Sequence, residues 1–372
     1  MTGVSVYGVG TSDYGKQPHL SAPDLAHRAV LEAIGDAGTD DVDAVFVGTV
    51  FGASGIAQRA LETAGVLGVP IVTVENACAS GTTAFHEGVA AVQAGRYERV
   101  LALGIEQMST LFSGPIVPEA TDAEGASGFA MPAMYAMSAA RYAQDHGLTP
   151  EQLASVAVKN YRNAAGNPRA QRKGVFTRDQ ILTSRPIADP LTVLQCSPIS
   201  DGAAAAIIGP SRIGDVRVLG TSLRAGAAWG AGSEHVWGFD LIRGVAQEVY
   251  EATGLGPQDV DLFEVHDAFT IGEIVTIEAL GLTGLGRGGA FTASGATAID
   301  GALPVNPSGG LLGRGHPLGA TGLAQIAEVV NQLRGRAEGR QVVGARRGLV
   351  ETMGGGAAGT DGNACVVVML AS

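Results

Sequence analysis

The chain has 372 residues, 46% hydrophobic and only 16% charged, so burying a large core in two domains or one duplicated unit is no obstacle. A net charge of −12 argues against general nucleic-acid binding, which needs a basic footprint. Three cysteines, Cys78, Cys196 and Cys365, lack metal-ligand spacing and are too few for a disulfide framework; this fits a reducing cytoplasm and no metal centre.

The opening "MTGVSVYGVGTSDYG" has no basic stretch followed by an apolar one, so no signal peptide is expected. No apolar run reaches the ~18–20 residues of a membrane span. "APDLAHRAVLEAIGDAG" (22–38) has helical periodicity and ends in glycine, and "VDAVFVGTVF" (42–51) reads as a buried strand. "IVTVENACASGTTAFHEGVAAVQAG" (71–95) reads as a strand, a Gly/Ser-rich turn and a small-residue helix, and "ERVLALGIEQ" (98–107) as another buried strand. Such alternation points to a layered α/β fold with covered sheets.

Residues ~109–200 interrupt this order with prolines, methionines and short helical patterns, which reads as an inserted lid or loop region. Met131, Met134 and Met137 stand at i, i+3 spacing, which suits core packing or the lining of an acyl channel. The stretch 159–185 holds seven basic residues and one acid. It reads either as solvated helix charge or, through Arg162, Arg169, Arg172 and Lys173, as a seat for a phosphorylated ligand.

Beyond the apolar ending "DGAAAAIIG" (201–209), the order begins again. "IRGVAQEVYEATGLGPQDVDLFEVHDAF" (242–269) echoes residues 25–51 down to a shared "DVD". "LPVNPSGGLLGRGHPLGATGLAQIAEVVNQL" (303–333) echoes 71–95, and "DGNACVVVML" (361–370) matches the earlier ending. Two similar halves follow, about 1–213 and 214–372.

Cys78 follows a strand and opens a helix, where free N–H groups and the helix dipole favour a thiolate. Cys365 lies within a buried strand, and Cys196 has no evident activator. Of seven histidines, His266 ends "DLFEVH" and His316 sits among glycines in "NPSGGLLGRGHPLGATG". If the halves pack about a pseudo-twofold axis, the turns of Cys78 and His316 are equivalent and meet near the centre.

"NACASG", "EVHDAFTIGE", "NPSGGLLGRGHPLGATG" and "ETMGGGAAGTDGNACVVVML" together resemble the thiolase superfamily over nearly the whole chain. The "HDAF" block is similar to the sterol-carrier-protein-type and archaeal acetoacetyl-CoA thiolases. The resemblance implies a five-layered αβαβα fold, acyl-CoA chemistry without a permanently bound cofactor, coenzyme A as a substrate, and a homodimer. It implies Cys78 as the acylated nucleophile, His316 as its base and His266 at a second oxyanion site. Backbone N–H groups of Cys78 and of Gly354, Gly355 and Gly356 would hold the acyl-enzyme oxygen. Asp267 would orient His266 or cap the helix after it, while Asn306 and Ser308 would shape the turn.

The second cysteine of these enzymes is missing: Thr352 stands at one of its positions and Ala268 at the other. A threonine hydroxyl is too weak an acid to replace it, so α-carbon deprotonation would fall to the histidines. Two other readings follow from this gap. One is a C–C lyase (retro-aldolase) or aromatic C-acyltransferase working with a small OB-fold, zinc-ribbon partner. The other is a non-enzymatic lipid carrier or scaffold.

Overall fold

The computed structural model describes residues 3–116, 123–355 and 359–372. The strands of its large sheet are β1 (Val4–Thr11), β2 (Ala44–Gly48), β3 (Ile71–Val74), β4 (Val100–Gln107), β5 (Asp201–Pro210), β6 (Val216–Arg224), β7 (Leu262–Glu264), β8 (Arg347–Gly354) and β9 (Ala364–Ala371); Pro186–Ala188 and Leu191–Thr192 form a separate small hairpin. The helices that matter for the site are α1 (Ala22–Ala37), α2 (Ile56–Thr63), α3 (Ser80–Gln93), α4 (Met131–His146), α5 (Pro150–Ala165), α6 (Phe239–Thr253), α7 (Thr270–Ala279), α8 (Gly310–Arg314) and α9 (Thr321–Leu333).

Strand order is β3-β2-β4-β5-β1-β6-β9-β8-β7. Outward from the β1–β6 junction, both arms run the same way: two antiparallel steps, then a parallel one. The first arm ends in the parallel strand β3; the second ends in a single parallel bridge from Phe263 to Val305. Among the described residues, the strand pairing that joins the two arms is Val4–Val6 against Val216–Val218.

Alternation along each strand builds the layers. Val366, Val368 and Leu370 point to an inner core shared with Phe85 and Val89 of α3 and Leu323 and Ile326 of α9. Their neighbours Cys365, Val367 and Met369 point the other way, onto α6 and α7. In the first arm Phe46, Ala102 and Ile208 face that same inner core, while Val45, Leu103 and Ile207 face α1 and α2. The result is helices, sheet, central helices, sheet and helices, the five-layered α/β architecture. Side chains of period 2 buried on both faces require this arrangement.

Helix ends follow local chemistry. Ser21 and Asp24 form a capping box at the start of α1, and Gly38 closes it at φ 67°. The helix following residues 71–74 starts two residues beyond Cys78, at Ser80.

Candidate active site

Cys78 sits in the tight turn between β3 and α3. The preceding Ala77 has φ 47°, a left-handed conformation costing a non-glycine residue about 1–2 kcal/mol. Local bonds hold it there: Ala77 N–H donates to Glu75 Oε1 at 2.6 Å, and Ser80 Oγ donates to the Ala77 carbonyl at 2.6 Å. His266 follows the end of β7, its N–H donating to Glu351 Oε2 at 2.9 Å. His316 lies in the loop between α8 and α9.

These three residues, from three distant segments, meet. Cys78 Sγ and a ring nitrogen of each histidine all lie within 4.8 Å of one another. The two imidazoles are edge-to-face, with centroids 5.2 Å apart and planes at 78°. A cavity of about 510 Å³ opens in front of them.

Glycine brings the loops together. A Cβ on Gly319 would lie 2.6 Å from the Ile105 carbonyl oxygen and 2.7 Å from Thr49 Cα. One on Gly354 would lie 2.1 Å from the carbonyl oxygen of Asn76. The histidine loop thus rests directly on the backbone of β4 and the end of β2, and the Gly354 turn on the backbone just before the nucleophile.

Thr321 sets the tautomer of His316. Its hydroxyl has one proton, which goes to the Pro317 carbonyl at 2.9 Å. Toward His316 Nδ1, 2.8 Å away, Thr321 can therefore only accept. This hydrogen-bond pattern assigns the ring proton to Nδ1 and leaves Nε2 with a free lone pair.

Burial governs the charge state. Desolvation first, then Glu106, pushes the Cys78 thiol up to about 12, against the opposing pull of the Gly355 and Cys78 N–H groups. Desolvation, with help from Arg314, brings His266 down to about 3. Desolvation, His266 and Arg314 together hold His316 well below the ordinary imidazole range. Burial thus favours a neutral thiol beside two neutral imidazoles, although Cys78, half-buried at the cavity, is the least enclosed of the three. The expectation that the helix start favours a thiolate is corrected: Cys78 lies before the helix, and burial outweighs the dipole.

Other expected residues fall differently. Asp267 neither orients His266 nor caps α7; its carboxylate accepts from Leu311 N–H at 2.6 Å, capping α8, and from Asn160 Nδ2 at 2.6 Å. Asn306 accepts from Val265 N–H at 2.8 Å and donates to Glu273 at 2.8 Å; Ser308 bonds Glu264 through N–H and Oγ at 2.9 and 2.8 Å. Both hold loops. Thr352 turns into the central layer, its hydroxyl donating to Gln325 Oε1 at 2.7 Å, and does not line the cavity, whereas Ala268 does. Gly355 lines the cavity and Gly354 lies against the nucleophile turn; Gly356 lies outside the described residues.

The basic residues also separate. Arg172 lines the cavity, donating to Tyr161 Oη at 2.6 Å and the Cys196 carbonyl at 3.1 Å. Arg169 pairs with Glu32 at 2.6 Å on a separate cleft, Lys173 donates to the Pro168 carbonyl, and Arg162 is exposed on α5 away from the cavity. Lys16 and Arg185, not singled out from sequence, are exposed at the cavity. Of the three methionines only Met131 lines it; Met137 is exposed.

Sequence reasoning also missed Glu106. Buried at the end of β4, it accepts from Val50 N–H at 2.9 Å, Phe51 N–H at 3.1 Å and Gly319 N–H at 3.0 Å. It thereby ties the histidine loop to the residues after β2. Burial pushes its carboxyl up to about 7.

Profiles of known families match most of the chain: "Thiolase, N-terminal domain" over residues 9–211 and "Thiolase C-terminal domain-like" over 232–367. The acetyl-CoA acetyltransferase of Methanothermobacter thermautotrophicus is 41% identical, with 98% of this chain aligned to 99% of that one. Sterol carrier protein 2 of Oryctolagus cuniculus is 38% identical over 95% of this chain and 70% of its own length. Among solved structures, the "Ltp2-ChsH2(DUF35) aldolase" superposes with a TM-score of 0.85 at 26% identity, covering 100% of this chain and 98% of the other.

Proposed function

Since the chain belongs to the thiolase family and is an acyl-CoA C-acyltransferase, we propose that it works through an acyl-enzyme on Cys78. The convergence of Cys78, His266 and His316 at the wall of one cavity carries this reading. As Cys78 Sγ attacks the thioester carbon, His316 Nε2 takes the thiol proton. The carbonyl oxygen becomes an oxyanion held by backbone N–H groups of Cys78 and Gly355. Collapse breaks the C–S bond to coenzyme A, whose thiolate receives the proton from His316. Neutral groups suit this concerted transfer, since no thiolate has to be stored in a buried site. Each oxyanion donor is worth about 10²–10³-fold in rate.

In the second half-reaction the α-proton of an acceptor acyl-CoA passes to one of the two histidines. The resulting carbanion attacks the acyl-enzyme carbonyl and the C–S bond to Cys78 breaks, forming a 3-oxoacyl-CoA, while the histidine passes its proton to the departing Cys78 thiolate; the reverse direction cleaves the product with coenzyme A. Lys16, Arg172 and Arg185 form the cationic rim for the nucleotide phosphates. A homodimer, a cytoplasmic location and the division at about residue 213 belong to the same reading. Among the described residues no helix is long and apolar enough to cross a membrane.

A second reading is favoured by one observation: with Ala268 at the cavity and the Thr352 hydroxyl engaged elsewhere, no second thiol or free hydroxyl stands at either position. Carbon–carbon cleavage or aromatic C-acylation with a small OB-fold, zinc-ribbon partner fits that gap, and the aldolase of similar structure is named as a two-component assembly. Mass spectrometry after mixing the protein with acetyl-CoA and longer acyl-CoAs separates acyl transfer through Cys78 from carbon–carbon cleavage that needs no acyl-enzyme. An acyl mass on the Cys78 peptide, absent in Cys78→Ala, is expected; no adduct on folded protein with any of them would sink the acyl-enzyme.

A further inference from the structure

The three site residues also form a ligand set for a soft divalent cation, and we propose that Cys78, His266 and His316 bind Zn²⁺ in a three-ligand site that shuts down acyl transfer. Sequence spacing hides this set, because its members lie on three segments nearly 240 residues apart at the extremes, roughly the length of a large domain. Thiolate and imidazole are the ligands zinc favours, and three protein ligands plus one open position is the pattern of zinc sites that are not closed structural ones. Here the open position would face the cavity of about 510 Å³.

Geometry supports it. Tetrahedral zinc with ordinary Zn–S and Zn–N lengths places ligand atoms roughly 3.3–3.6 Å apart. The present atoms all lie within 4.8 Å, so the longest edge has to shorten by little more than 1 Å. Side-chain rotation of the three ligands, which all line the cavity, is the movement this asks for. The rings are not stacked, with planes at 78° and centroids 5.2 Å apart, and one nitrogen of each lies within 4.8 Å of the other and of Cys78 Sγ. Thr321 occupies His316 Nδ1 and leaves Nε2 for the metal, the arrangement in which an outer partner orients a metal-bound imidazole.

Electrostatics act in both directions. Glu106 and Glu75 disfavour a thiolate at Cys78, and a cation beside the sulfur reverses that preference. Arg314 opposes a cation, but it is itself paired with Glu264 at 3.5 Å. Both imidazoles are neutral at rest, so the metal displaces no ring proton. Binding forms one Zn–S and two Zn–N bonds and releases one proton, from the Cys78 thiol, to solvent; nothing is oxidised or reduced.

The metal site stands on the geometry alone; its inhibitory effect rests on Cys78 being the nucleophile. Titration of the whole protein with Co²⁺ as a spectroscopic probe should give one equivalent with a sulfur-to-cobalt charge-transfer band, displaced by Zn²⁺ and removed by a chelator. The band should vanish in Cys78→Ser and persist in Cys196→Ser and Cys365→Ser. In Thr321→Val, Zn²⁺ affinity should fall about 10- to 100-fold. No band, or a band that survives in folded Cys78→Ser, overturns the site whatever the activity. A band with acyl-adduct formation undiminished by Zn²⁺ overturns the inhibition.

Discussion

Replacing Thr321 by valine keeps the shape of the side chain and removes one hydroxyl. That hydroxyl now does two things: it donates to Pro317 at 2.9 Å and accepts from His316 Nδ1 at 2.8 Å. In Thr321→Val the buried Nδ1–H loses its acceptor, at a cost of about 1–3 kcal/mol. The ring can relieve that cost only by moving its proton to Nε2, the nitrogen assigned to take the Cys78 proton. Either the right tautomer is held at that penalty or the wrong one predominates. With about 1.4 kcal/mol per tenfold, acylation of Cys78 should slow roughly 5- to 150-fold. The assay is single-turnover acylation followed by quenched-flow mass spectrometry, with thermal melting run alongside. His316 also faces Cys78 in Thr321→Ser, which restores the hydroxyl and should restore most of the rate. An acylation rate for folded Thr321→Val within about twofold of the parent would refute the tautomer argument.

Thr352→Val tests the opposite claim. Its hydroxyl bonds Gln325 and not the cavity, so both half-reactions should continue at about the parent rate while stability drops by roughly 1 kcal/mol; a collapse of the condensation step alone would restore Thr352 as an acid. Removing exposed charge at the cavity in Lys16→Ala and Arg185→Ala should raise KM for coenzyme A substrates about 2- to 5-fold each, leave kcat alone and flatten the salt dependence. An unchanged KM in both would remove the cationic rim. Ring resonances of His266 and His316 should not titrate between about pH 8 and pH 5, since burial lowers both and takes His266 to about 3. The sign follows: an unfolded imidazole gains its proton near 6.5 while the buried one does not, so their contribution to stability is complete above that pH and is lost as pH falls toward the folded values. An inflection for either ring between pH 6 and 7 would contradict the neutral resting site.

The residues that carry chemistry were legible because they interrupt regular patterns. Cys78 breaks a strand-to-helix transition of small residues, and His316 stands alone among glycines. The repeated order of elements placed those two turns opposite each other, and the structure brings them within 4.8 Å. The charge state was not legible. A helix start suggests a thiolate, but how far water is excluded from a site depends on segments closing over it from far along the chain. Glu106 illustrates the same limit: at the end of "ERVLALGIEQ" it reads as the polar boundary of a strand, yet its three amide partners come from residues 50, 51 and 319. Arg169 and Arg172 lie three residues apart on an irregular stretch and look equivalent in sequence; one faces the cavity and the other pairs with Glu32 outside it. Asp267 beside His266 invited a direct partnership, but the turn after β7 sends its carboxylate to α8.

The backbone contact at Gly319 has a consequence for how this scaffold can diversify. The helix after the nucleophile and the loop of the base also meet main chain to main chain, since a Cβ on Gly81 would lie 2.6 Å from the Gly319 carbonyl oxygen, and no side chain stands at that contact to enlarge or trim. The rest of the cavity lining is built differently, with Met131, Tyr135, Ile187 and Phe269 among its side chains, all of which substitution can resize. Mutation can therefore recut the chamber for a longer, branched or aromatic acyl group while the spacing of the reacting atoms stays unchanged, so substrate range and reaction chemistry can drift independently in a single chain.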